Sequence, residues 1–211
     1  MSVLPVYRGT NEYQFFAAKV PEGVISFKNS FCRGVTIVKR KGGGQEMHTE
    51  QEQRHVYYDH DLEIEAYNLS GIVQKFPNHF HDYYVIGFVE GGKRHLWCKG
   101  LEYDLTAGDL ILFNPRDNHF CAPINGEILD YRAVNINMDV MQSAVREITG
   151  KDFVPHFTRN VVYQSDITQS IGDLYDAILT HAPKLKKEEA FFFLLEQILQ
   201  EHAAPFDEID I

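Results

Sequence analysis

Two features that define other protein classes are missing from this chain: paired cysteines and long apolar runs. It has three cysteines in 211 residues, Cys32, Cys98 and Cys121, an odd number without CxxC spacing. This argues against a disulfide framework and against a zinc knuckle. No apolar run reaches the roughly 20 residues that cross a bilayer. Glu12 and Lys19 also interrupt the apolar N-terminal stretches, where a signal peptide needs an unbroken core. We therefore expect a cytoplasmic protein without a membrane partner.

Basic residues are scarce as well. The chain has 20 Lys and Arg against 30 Asp and Glu, a formal net charge of −10. Nucleic-acid binding draws its affinity from clustered Lys and Arg, so we do not expect this chain to bind DNA by itself. GxSxG, GxxxxGK and GxGxxG motifs are also missing. Their absence removes the usual signatures of a serine hydrolase, a phosphate-binding loop and a dinucleotide site.

The first 46 residues differ in composition from the rest. Two β-like runs, 23–27 and 34–39, predict a hairpin there. The basic triplet 39–41, the glycines 42–44 and the polar run 45–54 follow, a composition typical of a linker. The sequence therefore predicts a separate N-terminal arm over residues 1–46.

Beyond Tyr57 the sequence becomes a series of short β-like runs separated by glycine-containing turns. This texture is typical of an antiparallel sandwich or barrel. The runs are Leu62–Tyr67, Tyr83–Glu90, Arg94–Lys99, Asp109–Asn114 and Ile128–Ile136.

After Asn137 the apolar period becomes helical. A first helix is predicted over Asp139–Ile148, ending at Gly150, and a second over Asp166–Thr180. A third, from about Lys186 to His202, has an apolar face wider than one barrel edge usually covers.

Three histidines carry the main chemical signal. His79 and His81 are two residues apart, so in a strand both side chains lie on one face. Two imidazoles on one face are a common start for a transition-metal site. His119 follows an apolar strand and a proline turn about forty residues later. The three are candidate ligands of one ion or of one small molecule.

These two segments, 76–82 and 108–119, resemble the two motifs of the cupin family. In metal-binding cupins three histidines and a glutamate hold one ion inside the barrel. Here Val85 and Ile86 stand where the resemblance implies the glutamate, so a site for iron or manganese lacks its carboxylate. Three neutral imidazoles still suit zinc or nickel with water as the fourth ligand. The alternative is a polar pocket in which the histidines bind no metal.

A more specific likeness covers Tyr57 to about Asp207. The run HFHDYYVIGFVEGG, the segment 108–119, the strand 131–137 and the helix opened by Ser165 and Asp166 resemble the N-terminal effector domain of AraC-like transcription regulators. The resemblance implies a mainly β, cupin-type double-stranded β-helix (jelly-roll barrel) over 47–137. It also implies a helical dimerisation and linker region over 138–211. DNA binding would belong to a C-terminal helix-turn-helix domain that this chain lacks.

Four further residues are candidates for the ligand pocket. Tyr83 shares the strand parity of His79 and His81, and Trp97, Tyr131 and Arg132 extend the set. Parity is the only reason for choosing them.

The third predicted helix supplies candidates for a homodimer interface: Phe192, Leu195 and Leu199. An apolar face wider than a helix buries alone needs a second protein surface. Covering the open edge of the barrel is the alternative role of this face.

Besides a storage or scaffold protein with an empty barrel, two functions from different classes remain open. One is a non-catalytic sensor, in which a small-molecule effector binds in the barrel and shifts the balance between two arrangements. The other is a metal-dependent cupin enzyme, an oxygenase or isomerase acting on a small organic acid or sugar. The fold alone does not separate them, but the missing glutamate and the helical C-terminal third favour the sensor.

Overall fold

The computed structural model describes residues 52–205, together with two short strands nearer the N-terminus, β1 (Phe15–Ala17) and β2 (Phe27–Asn29). These two strands pair antiparallel. The predicted hairpin run 34–39 and most of the predicted arm 1–46 lie outside the described residues.

The rest of the described chain is a β-rich body with three helices. Its strands are β3 (Gln53–Asp59), β4 (Ile64–Ile72), β5 (Phe76–His79), β6 (Tyr84–Gly92), β7 (Arg94–Cys98), β8 (Leu101–Leu105), β9 (Leu110–Phe113), β10 (His119–Pro123), β11 (Leu129–Ile136), β12 (Pro155–Phe157), β13 (Val161–Val162) and β14 (Ala203–Pro205). Its helices are α1 (Met138–Thr149), α2 (Ile167–Leu179) and α3 (Lys184–His202).

The strand pairing is nested. β7 pairs with β8, β6 with β9, β5 with β10 and β4 with β11, all antiparallel. One sheet has the order β13-β9-β6-β11-β4-β3 and the other the order β5-β10-β7-β8. Such nesting arises when one long hairpin winds into two facing sheets, which is the jelly-roll arrangement. The predicted double-stranded β-helix is confirmed.

The six-stranded sheet is buried on both faces. On β6, Val85 and Val89 pack inside the barrel, whereas Tyr84 and Ile86 pack against the helices. Alternation along a strand explains this division, since successive side chains point to opposite faces. The barrel therefore has an inner core, and a second core joins the outer face of this sheet to the helices.

All three predicted helices are present. α1 ends at Gly150, whose φ of 69° is left-handed and whose N–H donates to the Arg146 carbonyl. On α2 the predicted stripe of Ile167, Ile171, Leu174 and Ile178 is buried in the outer core. Residue 137 marks the change from strands to helices, and the helices share this core with the sheet. A domain boundary at residue 137 stays a prediction.

α3 corrects one interface candidate. Leu195 is fully buried in the core of its own chain, so it is not available to a second copy. Phe192 and Leu199 are half-buried and pack on the same core. The exposed apolar residues are instead Phe193, at 56%, and Leu185, at 77%. The wide apolar face of α3 therefore mostly packs on its own chain, against α2 and α1.

A buried ion cluster fastens α3 to the turn between β3 and β4. The Lys187 ammonium lies 2.5 Å from Asp59 and 2.6 Å from Asp61. The other Asp59 oxygen accepts the N–H groups of Asp61 and Leu62, each at 3.0 Å. Burial opposes the charged ammonium, but the hydrogen bonds to Asp59 and Asp61 outweigh it and raise the pKa of Lys187.

Candidate functional site: three histidines at one mouth of the barrel

The three predicted histidines converge. Their candidate ligand atoms all lie within 4.8 Å of one another. His79 ends β5 and His119 begins β10, where the two residues are direct cross-strand partners. His81 lies beyond the end of β5, so strand alternation does not position it, yet its ring is 4.9 Å from that of His79 and 5.2 Å from that of His119.

Backbone carbonyls fix the orientation of two of these rings. Nδ1 of His79 lies 2.6 Å from the Pro77 carbonyl, and Nδ1 of His119 lies 2.8 Å from the Asp117 carbonyl. A carbonyl only accepts hydrogen bonds, so in each ring Nδ1 carries the proton and Nε2 keeps its lone pair. Metal-binding histidines usually donate their other ring N–H to an acceptor such as a backbone carbonyl, which fixes the ring orientation.

Burial keeps the imidazoles neutral. Burial, together with the charges of His79 and His119, lowers the pKa of His81 to about 3. Burial and the charge of His79 lower the pKa of His119 to about 4, and burial lowers the pKa of His79. Neutral imidazole is the form that binds a metal ion or accepts a hydrogen bond from a ligand.

The donor set fits zinc or nickel better than iron or manganese. In tetrahedral coordination with bonds of about 2.0 to 2.1 Å, nitrogen ligands lie roughly 3.4 Å apart, so the rings need to close slightly around an ion. No carboxylate belongs to this group among residues 52–205. At the expected position Val85 is buried inside the barrel and Ile86 faces the helices. Among the described residues, the histidines therefore do not form the carboxylate-containing site that the enzyme hypothesis requires.

A hydrogen-bond network holds the turn before His119. Asp117 is buried, and one of its carboxylate oxygens accepts from the Asn114 backbone at 3.0 Å and from the Asn160 amide at 2.8 Å. The Asn114 side chain bonds both the N–H and the carbonyl of Phe157 on β12, at 2.7 and 3.1 Å. Phe157 pairs with Ala203 on β14. His119 is thus connected through buried polar groups to the strand that follows α3.

Two of the four further pocket candidates lie with the histidines or inside the barrel. The Tyr83 ring stacks on His81, with centroids 4.9 Å apart and planes at 20°. Tyr131 packs in the inner core, 5.9 Å from Tyr67. A side chain at Gly87 would collide with Tyr131, because an added Cβ would lie 2.2 Å from its hydroxyl oxygen. Glycine at this position leaves the space that Tyr131 fills.

The other two candidates face away from the histidines. Trp97 stacks on Phe120, at 6.1 Å, on the outer face of the four-stranded sheet. The Arg132 guanidinium lies over the Tyr175 ring, 4.8 Å from its centroid, on the helix side of the six-stranded sheet. Its Nε is 2.9 Å from Glu90, in an ion pair that is not directed as a hydrogen bond. The geometry does not support either residue as a pocket residue.

Sequence reasoning missed other residues that point into the barrel. Tyr67 and Glu65 on β4 alternate with Ile64 and Ala66, which face the helices. Asn135 is the cross-strand partner of Glu65 and donates to it at 3.2 Å. Alternation predicts that 65 and 67 share a face, but it does not say which face is the interior when both are covered.

The match to known families decides the assignment. Residues 61–202 match the family model of the AraC-like ligand binding domain. The chain belongs to this family. The AraC-like domain is 47% identical over 154 residues to the uncharacterized HTH-type transcriptional regulator YbfI of Bacillus subtilis. That alignment covers 73% of this chain and 56% of the relative, so the chain spans about half the length of the regulator.

Solved cupins also align with the AraC-like domain, at low identity. KdgF from Halomonas sp. is 18% identical with a TM-score of 0.35, over 47% of this chain and 98% of that one. An RmlC-like cupin from Methanocaldococcus jannaschii is 13% identical with a TM-score of 0.36, over 48% and 93%. Within the described residues, no helix of the AraC-like domain is long and apolar enough to cross a bilayer.

Gly87→Ala is expected to destabilise the barrel by about 1 to 3 kcal/mol, the usual cost of overpacking a core. The cause is the clash of the new methyl group with the Tyr131 hydroxyl and with Ala133. Urea unfolding of the two proteins measures the difference. The matched control is Gly172→Ala on α2, where an added Cβ meets nothing within 4 Å. This control is expected to stabilise the helix by up to about 1 kcal/mol. Equal stability of the two variants would contradict the proposed clash.

Proposed function

We propose that this chain is the effector-binding and dimerisation domain of an AraC-like transcription regulator that works in the cytoplasm. A small molecule binds at the mouth of the barrel, and DNA is bound by a separate domain. The observation that carries the proposal is the convergence of His79, His81 and His119, with two oriented Nε2 lone pairs, in an AraC-like domain. The regulator of Bacillus subtilis supports the role in transcription.

The function is tested by ligand-dependent unfolding. We expect one member of a panel of sugars, amino acids and small organic acids to stabilise the protein, by about 2.7 kcal/mol at one hundred times its Kd. The same compound should have a much smaller effect on His81→Ala and should be recovered unchanged. Stoichiometric iron or manganese in protein purified without an affinity tag, together with turnover of the compound, would instead establish the cupin enzyme.

The network around Asp117 provides a route from the site to the C-terminal end of the domain. Ligation at His119 acts on the Asp117 turn, and the Asn114 side chain connects that turn to β12, which pairs with β14. Because β14 directly follows α3, a change at β14 reaches whatever the chain connects to there. Coupling then depends on the ligand binding one arrangement of this network better than another.

This coupling predicts that in Asn114→Ala, ligand binding at the histidines no longer affects β14. In the wild type, zinc is expected to slow hydrogen exchange at the amides of Ala203 and Ala204. The variant loses both bonds to Phe157, so zinc should leave its β14 exchange unchanged. The matched control is Asn118→Ala beside this turn, because the Asn118 side chain makes no hydrogen bond within residues 52–205. An identical zinc response in both variants would refute the route.

The second part of the proposal is a homodimer formed through α3. Phe193 and half-buried Phe192 lie beside Ile148 in a groove between α1 and α3. Lysines 184 and 186 begin the helix, and Glu196 and Glu201 lie near its end. Two α3 helices that cross antiparallel would place these opposite charges side by side across a two-fold axis.

Phe193→Glu is therefore expected to yield monomers in sedimentation velocity experiments, and these monomers should remain folded by circular dichroism. Leu195→Glu serves as the comparison. Because Leu195 is fully buried in its own core, that variant should unfold the domain rather than only separate the subunits. A dimer that survives in Phe193→Glu would exclude this face as the interface.

A further inference from the structure

A second group of polar side chains points into the barrel at the same mouth as the histidines. Glu65 is near the start of β4, Asn135 is near the end of β11, and Val85 is near the start of β6; they are consecutive cross-strand partners across the sheet. Strands lie about 4.8 Å apart, so the Glu65 backbone is roughly 10 Å from that of Val85. The start of β6 directly follows Tyr83, whose ring stacks on His81, so this polar group and the histidines lie near the same ends of their strands.

The Asn135 side chain leaves an unused acceptor in this group. Its Nδ2 donates to Glu65 at 3.2 Å, which fixes the orientation of the amide. Its Oδ1 is buried and has no hydrogen-bond partner. A buried acceptor without a donor costs free energy, and an atom of this kind in a pocket is commonly satisfied by a ligand.

The carboxylate of Glu65 is not neutralised by the protein. Among residues 52–205, no Lys, Arg or His forms an ion pair with it, and its side chain accepts a hydrogen bond from Asn135 alone. Its negative charge is nevertheless felt inside the barrel. Burial is the largest cause of the raised pKa of Tyr67 and of Tyr83, and a neighbouring tyrosine is the next. The charge of Glu65 is a smaller cause in both cases. Both hydroxyls therefore remain protonated.

Aromatic rings line the space beside this carboxylate. The rings of Tyr67 and Tyr131 are 5.9 Å apart, and Tyr83 stacks on His81. All belong to or pack on the inner core, and Tyr67 and Tyr83 retain partial solvent access. The faces of such rings attract cations. A carboxylate, a free carbonyl oxygen and aromatic faces together favour a positively charged hydrogen-bond donor and disfavour an acid.

We propose that Glu65 and Asn135 Oδ1 form a subsite for a primary ammonium group, so that the effector is a small amine whose other end reaches the three histidines. This inference rests on the proposed ligand-binding function and specifies its ligand class. An ammonium group has three N–H donors, enough to bond one Glu65 oxygen and Asn135 Oδ1 together. A carboxylate or phosphate at this position would face the uncompensated charge of Glu65.

The subsite is tested with ethylammonium chloride as the probe, at constant ionic strength against sodium chloride. Binding is followed by NMR through the side-chain amide signals of Asn135 in the 211-residue chain. We expect a saturable shift with an affinity of about millimolar, as suits so small a ligand. Glu65→Gln, which keeps the shape and the bond from Asn135, should weaken binding by about tenfold or more.

The control is Glu63→Gln, the same change at an exposed glutamate two residues away. It should bind ethylammonium like the wild type, and sodium acetate should cause no saturable shift in any of the three proteins. Equal binding by Glu65→Gln and the wild type would overturn the proposal, and so would a response to acetate or the absence of any ethylammonium response. None of these results would affect the sensor function, which a sugar or an acid identified in the unfolding panel would still establish.

Discussion

Lys187→Ala is expected to lower the free energy of unfolding by about 3 to 5 kcal/mol, the typical effect of removing one partner from a buried ion pair. The ammonium is only 7% exposed, as a side chain, and lies between Asp59 and Asp61. Without it, the buried Asp59 side chain loses its ion pair and keeps its bonds from the N–H groups of Asp61 and Leu62. Urea unfolding followed by circular dichroism measures the loss.

Lys184→Ala is the matched control for this prediction. Lys184 lies one turn earlier on α3 and pairs with Glu188 at 3.6 Å, but its side chain is 59% exposed. Exposed pairs of this type contribute about 0 to 1 kcal/mol. A loss in Lys187→Ala no greater than that of the control would show that the cluster is not important for stability. Lys187→Met then separates the lost charge from the lost packing of the side-chain stem.

The same cluster has a structural consequence beyond its energy. It joins α3 to the turn between the two strands at the edge of the six-stranded sheet. At its other end, α3 leads into β14, which is joined to β12 and, through Asn114, to the turn before His119. α3 is thus fixed to the barrel near both of its ends, and movement of one attachment relative to the other offers a physical basis for transmitting ligand binding.

The histidine site could be predicted because its signal is local. His79 and His81 were identified by an HxH segment, and His119 by the glycine, apolar strand and proline turn that precede it. The three histidines converge in the structure. The reason given for His81 was incomplete, since β5 ends at His79 and the following loop places the third ring. Glu65 and Asn135 lie on strands far apart in sequence, so only the pairing of β4 with β11 reveals them as neighbours.

Pocket residues chosen by parity show the limit of strand periodicity. Tyr131 and Arg132 are adjacent on β11, and adjacent strand residues face opposite sides, so only one of them could enter the barrel. Trp97 is the partner of Phe120, which follows His119 and therefore faces the other way. Periodicity fixes which residues share a face. It does not identify the inner face when helices or aromatic residues cover the outer one.

The helical part was easier to locate than to interpret. The stripes on α1 and α2 predicted their positions within one or two residues. The width of the apolar face on α3 left two roles open, a second copy or the open edge of the barrel, and α3 packs most of this face against α1 and α2. The number of neighbours that a helix has is a tertiary property, and its own sequence does not contain it.

The second large effect concerns metal binding. His81→Ala is expected to weaken zinc or nickel binding by more than about a hundredfold, since it removes one of three nitrogen ligands and the loss of even a supporting partner costs 10- to 100-fold. His81 is chosen because it is half-buried on a loop, whereas His119 is buried and stacks on Phe113 at 3.8 Å. Removal of the His81 side chain should therefore leave the fold intact. Isothermal titration calorimetry of metal-free protein measures the affinities.

His95→Ala is the matched control. His95 lies on β7, where it bonds Asp104 at 2.8 Å on the outer face of the four-stranded sheet. Zinc should bind this variant as it binds the wild type. Bound metal should also raise the free energy of unfolding, by about 4.1 kcal/mol at one thousand times Kd, in the wild type and in His95→Ala but not in His81→Ala. Equal affinities in the two variants would place the ion elsewhere, whereas a wild type that binds no zinc or nickel would leave the three histidines as hydrogen-bonding groups of a metal-free pocket.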